Sequence, residues 1–596
     1  MYLRSHIRNK DGKKHRYFSV VEARRLASGK TTQRPVLYLG EINDSQQAAW
    51  RKTLEVFDES AERFRPLSLF PDDRTVPSDA VDSVQVKLNE MELRNARSFG
   101  DCWLGCELWR QLELDRFWSE KLEPGREAVP WSQVLQLLAV NRLIDPGSEF
   151  RLHRHWFDQS AMGELLGTNE NVAGKDRLYR CLDRLLPHKQ DLFIFLRQRW
   201  HEMFNARFDI LLYDLTSTYL EGEAEGIPSA KRGYSRDKRP DCLQLVIALV
   251  VTPDGFPLAY EVMDGNRSDK TTLREFLDKI ESMYGKAERV WVMDRGIPTE
   301  TVLEEMRKAE PPVYYLVGTP RARMRKMERD WLDLPWRKVR DSVEVKLAVA
   351  EGEMYVLAKS EGRRAKEMAM RRRKLARLLW KLRAMRRSCP SRDQVLLRIG
   401  AAKSAAGRAS GFVEIALPGP RQEVTRASFT FRLLKDKLRE AELVDGHYLL
   451  RSNLVDEDPA VLWERYMQLT QVEAAFKNMK SELGVRPIYH QLQHRAEAHI
   501  FVAFLSYCLL VTLKTRLAAH APGLTPRAVL DKLGRIQMID VWLPTTDGRF
   551  LVMPRHTEPE TEQAMLLHKL NLQLPPQPPP RIRTKTSEFS KDLLKM

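Results

Sequence analysis

Three acidic residues stand where their types and surroundings could do chemistry. Asp214 follows the apolar run FDILLY, Asp294 follows RVWVM, and Glu473 lies in AVLWERYMQLTQVEAAFKNMKSEL, which begins at Ala460. Each acid sits at the end of an apolar strand-like run or on a helical stripe that is otherwise largely apolar. Three converging carboxylates repel one another and persist together only around cations, and an all-oxygen donor set selects Mg²⁺ or Mn²⁺. Two such ions about 4 Å apart would clamp the attacking and leaving oxygens of a phosphodiester during in-line displacement. The chemistry in reach is phosphoryl transfer on nucleic acid. Taken singly, Asp294-Arg295-Gly296 also makes an ordinary turn, as does Asp264-Gly265-Asn266, and Asp269 caps the helix that follows it.

The elements that would carry these acids follow from periodicity. Asp458 and Pro459 suit the cap and first position of a helix reaching Leu483. Steps of three and four place Leu462, Tyr466, Leu469, Glu473, Phe476, Lys480 and Leu483 on one continuous face of it. Buried there, Glu473 would need a cation or a proton; the other reading is a stripe at a domain edge with both charged heads in water. Lys480 lies about 10 Å further along the axis, too far to pair tightly with Glu473 but within reach of a phosphate held near it. Strands are predicted at 208–213, 243–252, 257–263, 289–293 and 313–317, with helices at 270–284 and 299–309. The order strand, strand, strand, helix, strand, helix, strand fits an α/β layer with a mixed sheet. Acids at the mouth of such a sheet stand where ligand sites form. Between the first two strands KRGYSRDKRPD, with Arg236, Lys238 and Arg239, suits either a phosphate backbone or a solvated loop.

The remainder bounds the setting. The 596 residues exceed what one core can organise, and 98 basic against 81 acidic residues give a net charge of +17, which favours a polyanionic partner. The six cysteines are scattered and read as reduced thiols. The opening residues have no apolar signal-peptide core, and the longest apolar run, 500–513, is shorter than the roughly 20 residues a membrane span needs, so it reads as a buried helix of a cytoplasmic protein with no membrane partner. Residues 1–90 open with a basic hairpin around Asn9-Lys10-Asp11-Gly12, a candidate DNA-contacting arm or a solvated edge, and the Pro-Asp and Pro-Ser-Asp pieces at 71–73 and 77–79 read as linker. Residues 91–206 read as a helical domain, and 319–457 as a β-rich insertion holding a long basic helix, 363–387, whose Leu375, Leu378, Leu379, Leu382 and Met385 form a packing seam. Its charged side is solvated or faces nucleic acid. His490 and His494, four apart, have no third ligand in sequence for zinc. Residues 516–596 form a C-terminal segment ending in a Pro-rich basic tail, read as mobile.

With these pieces in hand the chain resembles the DDE transposases of bacterial insertion sequences. The matching residues are YDLTSTYLEG from Tyr213, GYSRDKRPD from Gly233, VMDRGIPTE from Val292, and YMQLTQVEAAFKNMKSEL from Tyr466 followed by RPIYHQ, with the three acids 80 and 179 residues apart. The resemblance spans most of residues 1–515. It implies an RNase H-like catalytic core in two parts, 207–318 and 458–515, separated by the insertion, with Asp214, Asp294 and Glu473 as catalytic metal ligands for two Mg²⁺ or Mn²⁺ ions. It also implies that Tyr466 and Lys480 contact the DNA end and that Arg295 is a weaker phosphate contact. One branch carries a Tyr-x2-Arg-x3-Glu-x6-Lys signature; Tyr466, Glu473 and Lys480 fit it, whereas Leu469 stands at the arginine position, which bears on how the DNA end is gripped. The expected activity is cut-and-paste transposition of double-stranded DNA at terminal inverted repeats by a homodimer, in a bacterial, nucleoid-associated setting. The alternatives are an RNase H-like nuclease without strand transfer and a domesticated non-catalytic DNA-binding protein.

Overall fold

The computed structural model describes residues 2–10, 13–25, 31–41, 54–73, 76, 82–123, 129–168, 170–267, 269–285, 289–294, 297–319, 335–340, 343–350, 352–388, 391–419 and 422–584. The expected turn at Asp11-Gly12, the linker piece at Pro77-Ser78-Asp79, Arg295 and the last residues of the tail lie outside them.

A nine-stranded mixed sheet organises the middle of the chain. Its strands are β1 (Ile210–Tyr219), β2 (Gln244–Val251), β3 (Pro257–Asp264), β4 (Val290–Met293), β5 (Tyr314–Gly318), β6 (Arg337–Arg340), β7 (Val343–Ala350), β8 (Glu353–Ser360) and β9 (His447–Ser452). The spatial order is β3-β2-β1-β4-β5-β9-β8-β7-β6. The first three strands pair antiparallel, while β1, β4 and β5 run parallel through α1 (Asp269–Tyr284) and α2 (Glu300–Lys308). This is the mixed sheet the strand order predicts and the RNase H-like arrangement the resemblance implies. Every residue of β2, QLVIALVV, is buried, as a central strand covered on both faces requires. Thr299 caps α2 by accepting from the Val302 amide.

The β-rich insertion is built into this sheet: β6, β7, β8 and β9 extend it, β9 returning to pair antiparallel with β5. Between β8 and β9 stands a helical hairpin of α3 (Glu361–Ser388) and α4 (Arg392–Ala406). Its seam of Leu375, Leu378, Leu382 and Met385 packs with Val395, Ile399 and Ala402. The two ends of the chain also join. Strands 54–58, 63–71, 83–86 and 92–98 share a seven-stranded sheet with 537–544, 550–556 and 581–583. The Pro-rich segment is therefore held as far as its pairing with Phe550, Leu551 and Val552, and His556 bonds the Pro575 carbonyl. The N-terminal hairpin forms with Lys10 opposite Lys13.

The stretch from 100 to 204 is helical, with Gly100–Gln111, Trp131–Ile144 and Lys189–Phe204 as its longer members. It packs on α5 (Gln493–His520), the helix that holds the long apolar run. By length and composition α5 could cross a membrane, but 94% of its apolar window is buried in the fold. The Trp200 indole donates to Thr512 Oγ1 at 3.1 Å, satisfying two polar groups inside that core. The described cysteines are free.

Candidate active site

Asp214 is the fifth residue of β1, which runs on to Tyr219 rather than stopping at Tyr213 as the sequence suggests. The β-branched Thr216 and Thr218 favour extended backbone, and β2 goes on pairing as far as Gln244 opposite Tyr219. On the other side the parallel neighbour β4 stops at Met293, opposite Tyr213. Asp294 therefore leaves the sheet beside Asp214, one strand spacing away, about 4.8 Å.

The third acid comes from a helix that differs from the expected one. Asp458 caps it, accepting from the Ala460 amide at 2.7 Å, and Pro459 takes the first position as predicted. The helix then breaks at Gln468 into Pro459–Met467 and Leu469–Lys477, and ends in a π turn at Asn478–Glu482. At the break the Gln468 amide bonds the Arg465 carbonyl and the Gln471 amide bonds the Gln468 carbonyl, tighter i to i+3 turns that change the winding. The second piece packs across β1 with Val472, Ala475 and Phe476 inward. Glu473 is not buried on an apolar stripe; it is exposed, and its carboxylate needs no internal partner to compensate for lost water.

Asp214, Asp294 and Glu473 all line one pocket of about 470 Å³, together with Tyr466, Arg363 and Lys366. Burial disfavours the charge of Asp214 and pushes it up to about 6; the Leu215 amide and Arg236 pull the other way, and Asp294 and Glu473 add to the rise. Tyr466 Oη donates to Asp294 Oδ1 at 3.2 Å. Acids from β1, from the end of β4 and from the helix thus face one space, and Asp214 feels the charge of the other two, the donor set that divalent cations neutralise. Their oxygens are not gathered within 4.8 Å; among the described residues the group that is comprises Glu149, His490 and His499.

That second cluster is an ion network with its cation built in. Arg142 lies against His499, with nitrogens 3.2 and 3.3 Å apart, and 3.7 Å from Glu149. His490 reaches Glu149 at 3.5 Å, whereas His494 turns outward to Asp183, so the two histidines do not act as a pair.

The other residues singled out in the sequence fall in two groups. Lys480 donates to Asp237 Oδ1 at 3.0 Å with its side chain 9% exposed, and Arg486 bonds the same oxygen. In this conformation Lys480 fastens the loop between β1 and β2 instead of reaching the pocket. Arg239 is likewise engaged, by Asp241 and Glu221, with its guanidinium 4.9 Å from the Tyr219 ring centre. Arg236 and Lys238 are exposed, and the Arg236 amide donates to Ser217 Oγ. Gly233 approaches the Gly265 backbone so closely that a Cβ would overlap it, which pins the loop to the end of β3. Arg363 and Lys366 were not found from sequence as pocket residues. They open the basic helix, and only the return of β9 beside β5 brings that helix to the acids.

Residues 206–509 match the family model described as "Transposase DDE domain". Among solved structures the chain is similar to a piggyBac transposase synaptic complex with hairpin DNA, at 10% identity and a TM-score of 0.34, covering 74% of this chain and 80% of that one. That likeness is too distant to add to the argument. No curated protein matches. The family model spans half of the chain and contains all three acids of the pocket, and the chain belongs to the DDE transposase family.

Proposed function

We propose that the chain is the transposase of a bacterial insertion sequence, binding the terminal inverted repeats of double-stranded DNA and catalysing cut-and-paste transfer. The observation that carries this reading is the convergence of Asp214, Asp294 and Glu473 on one pocket, with Asp214 raised by burial and by the other two acids. These carboxylates would hold two Mg²⁺ or Mn²⁺ ions, which when bound supply Lewis-acid stabilisation of the attacking and leaving oxygens. Tyr466 orients Asp294 through its hydrogen bond. Arg363 and Lys366 on the pocket wall, and Arg236 near Asp214, place positive charge where a phosphodiester enters. Cleavage frees a 3′-hydroxyl at each end. In transfer that oxygen forms a new P–O bond to a target phosphate, the target's own 3′ oxygen leaves, and the hydroxyl proton passes to solvent. Joining two ends in one event calls for a homodimer on DNA.

The test uses pre-cut duplexes carrying the ends of the DNA that flanks the coding sequence, with a supercoiled target plasmid and Mg²⁺ or Mn²⁺. Products longer than the donor support transposition. Shortened products alone would make the chain a hydrolytic nuclease. Asp214→Asn, Asp294→Asn and Glu473→Gln should each abolish both steps while leaving DNA retention intact; cleavage unchanged by all three would refute the assignment.

A further inference from the structure

We infer that the outward face of α3 is a docking track for duplex DNA leading away from the catalytic pocket, with Trp380 as its aromatic contact. The inference rests on the proposal that the pocket acts on DNA, and it adds where the duplex runs.

The first support is position. α3 follows β8 without a break and begins at the pocket, where Arg363 and Lys366 stand on the wall with the three acids. The second is the pattern of the exposed face. Lys366, Arg373, Trp380 and Arg387 recur every seven residues and are all exposed, so they form one stripe down the side opposite the leucine seam. From Lys366 to Arg387 the stripe is about 31 Å long at 1.5 Å per residue, close to one turn of B-DNA at roughly 34 Å. Exposed Arg377 and Arg383 flank it, and Ala369 and Ala376 leave room for a close approach. Arg363 pairs with Glu367 and Arg371 with Asp445, both toward the packed side or the base.

The third is Trp380 itself. It is 67% exposed, whereas most other large aromatic side chains among the described residues fill cores. A bare indole amid arginines is poorly placed for an apolar protein partner and well placed for a duplex, where it can pack on the sugar edge or wedge into the minor groove while the arginines meet phosphates. It lies about 21 Å along the helix from Lys366, or roughly six base-pair steps from the pocket.

The experiment measures binding of the full chain to a labelled duplex of the flanking DNA that extends one helical turn beyond the cleavage site, across a salt series. Arg373→Ala with Arg387→Ala should lower the slope of log K against log salt by about two, near 0.9 per phosphate contact. Trp380→Ala should weaken binding about tenfold with the slope unchanged, Trp380→Phe should keep most of the affinity, and the hydroxyl-radical footprint should shorten on the side away from the cut. Wild-type slope, affinity and footprint in both variants would overturn the track. So would a change confined to the oligomeric state without DNA, which would make the stripe a contact between copies. Cleavage of the same duplex by the wild-type chain keeps the two proposals apart: absent cleavage tells against the catalytic reading, and intact cleavage with unaltered variant binding tells against the track alone.

Discussion

Replacing Asp214 by Asn should stabilise the metal-free protein while destroying its activity. The carboxyl is raised from the ordinary 3.8 to about 6. One unit corresponds to about 1.4 kcal/mol, so keeping Asp214 ionised at pH 7 costs the fold roughly 3 kcal/mol. The sign follows from proton binding. Below pH 3.8 the group is protonated in both folded and unfolded chains and nothing is lost; as pH rises through about 6 the folded state must give up a proton it holds more tightly than the unfolded state does. Asparagine carries no charge to desolvate. The variant should therefore exceed wild type by up to about 3 kcal/mol at pH 7, less whatever its amide loses in unmade hydrogen bonds, with the difference vanishing toward pH 4. A chain of several units does not unfold in one step, so the readout is native-state hydrogen exchange of the β1 and β4 amides in EDTA. Added Mn²⁺ should reverse the order by stabilising wild type alone, by about 4.1 kcal/mol at a thousandfold excess over its Kd. A variant less stable than wild type at pH 7 in EDTA, or a difference that does not move with pH, would refute the reasoning.

Tyr466→Phe removes the bond to Asp294 and should lower cleavage about tenfold, with a higher Mn²⁺ requirement and unchanged DNA retention, as metal titrations of the cleavage rate would reveal. Asp237→Ala strands Lys480 and Arg486 and should lower the opening free energy of the loop between β1 and β2 by about 3 kcal/mol, read by native-state hydrogen exchange; adding Lys480→Met should recover part of that loss. Burial alone would raise the Glu149 carboxyl, but His490, His499 and Arg142 overcome it and bring it down to about 2. Its ionised form therefore contributes stability above the ordinary 4.5 that is lost as pH falls toward 2. Glu149→Gln should cost about 3 kcal/mol at pH 7 and flatten the acid limb of a stability profile.

What was legible in the sequence was local. The cap at Asp458 and Pro459, the apolar run of β2, the seam of α3 and Asp294 just past an apolar strand are set by neighbours in the chain and formed as read, whereas Asp214 lies within its strand, not after it. What was not legible depended on partners far away. Nothing near Lys480 announces Asp237, 243 residues earlier, and nothing in the Pro-rich end announces that Arg581–Arg583 would pair beside Leu54–Asp58. The continuous stripe drawn through Glu473 failed for a related reason. It assumed unbroken helical winding, and the short turns at Gln468 let the two pieces take different faces, so that the carboxylate looks into the pocket rather than the core.

The position of the site follows from unequal strand lengths in one sheet. β1 is held on one side by β2, which pairs with it to its end, and on the other by β4, which stops halfway. Below that step the sheet is closed and apolar; above it β1 still presents side chains but has lost a neighbour, and the space so opened receives Asp294. A sheet ending flush would have put both aspartates at a solvent edge, with no wall to desolvate Asp214. The far wall is made by the insertion, since Gly318 and Thr319 at the end of β5 meet His447, Tyr448 and Leu449 of β9 there. The turn that enters this strand fixes α3, because the Gly446 amide donates to Glu367 and the buried Asp445 pairs with Arg371 in the first turns of that helix. The basic arm is thus anchored by the residues that lead into the wall of the pocket. A duplex laid along α3 would be held in register with the three acids by ion pairs and strand pairing, independently of the loops that lead to them.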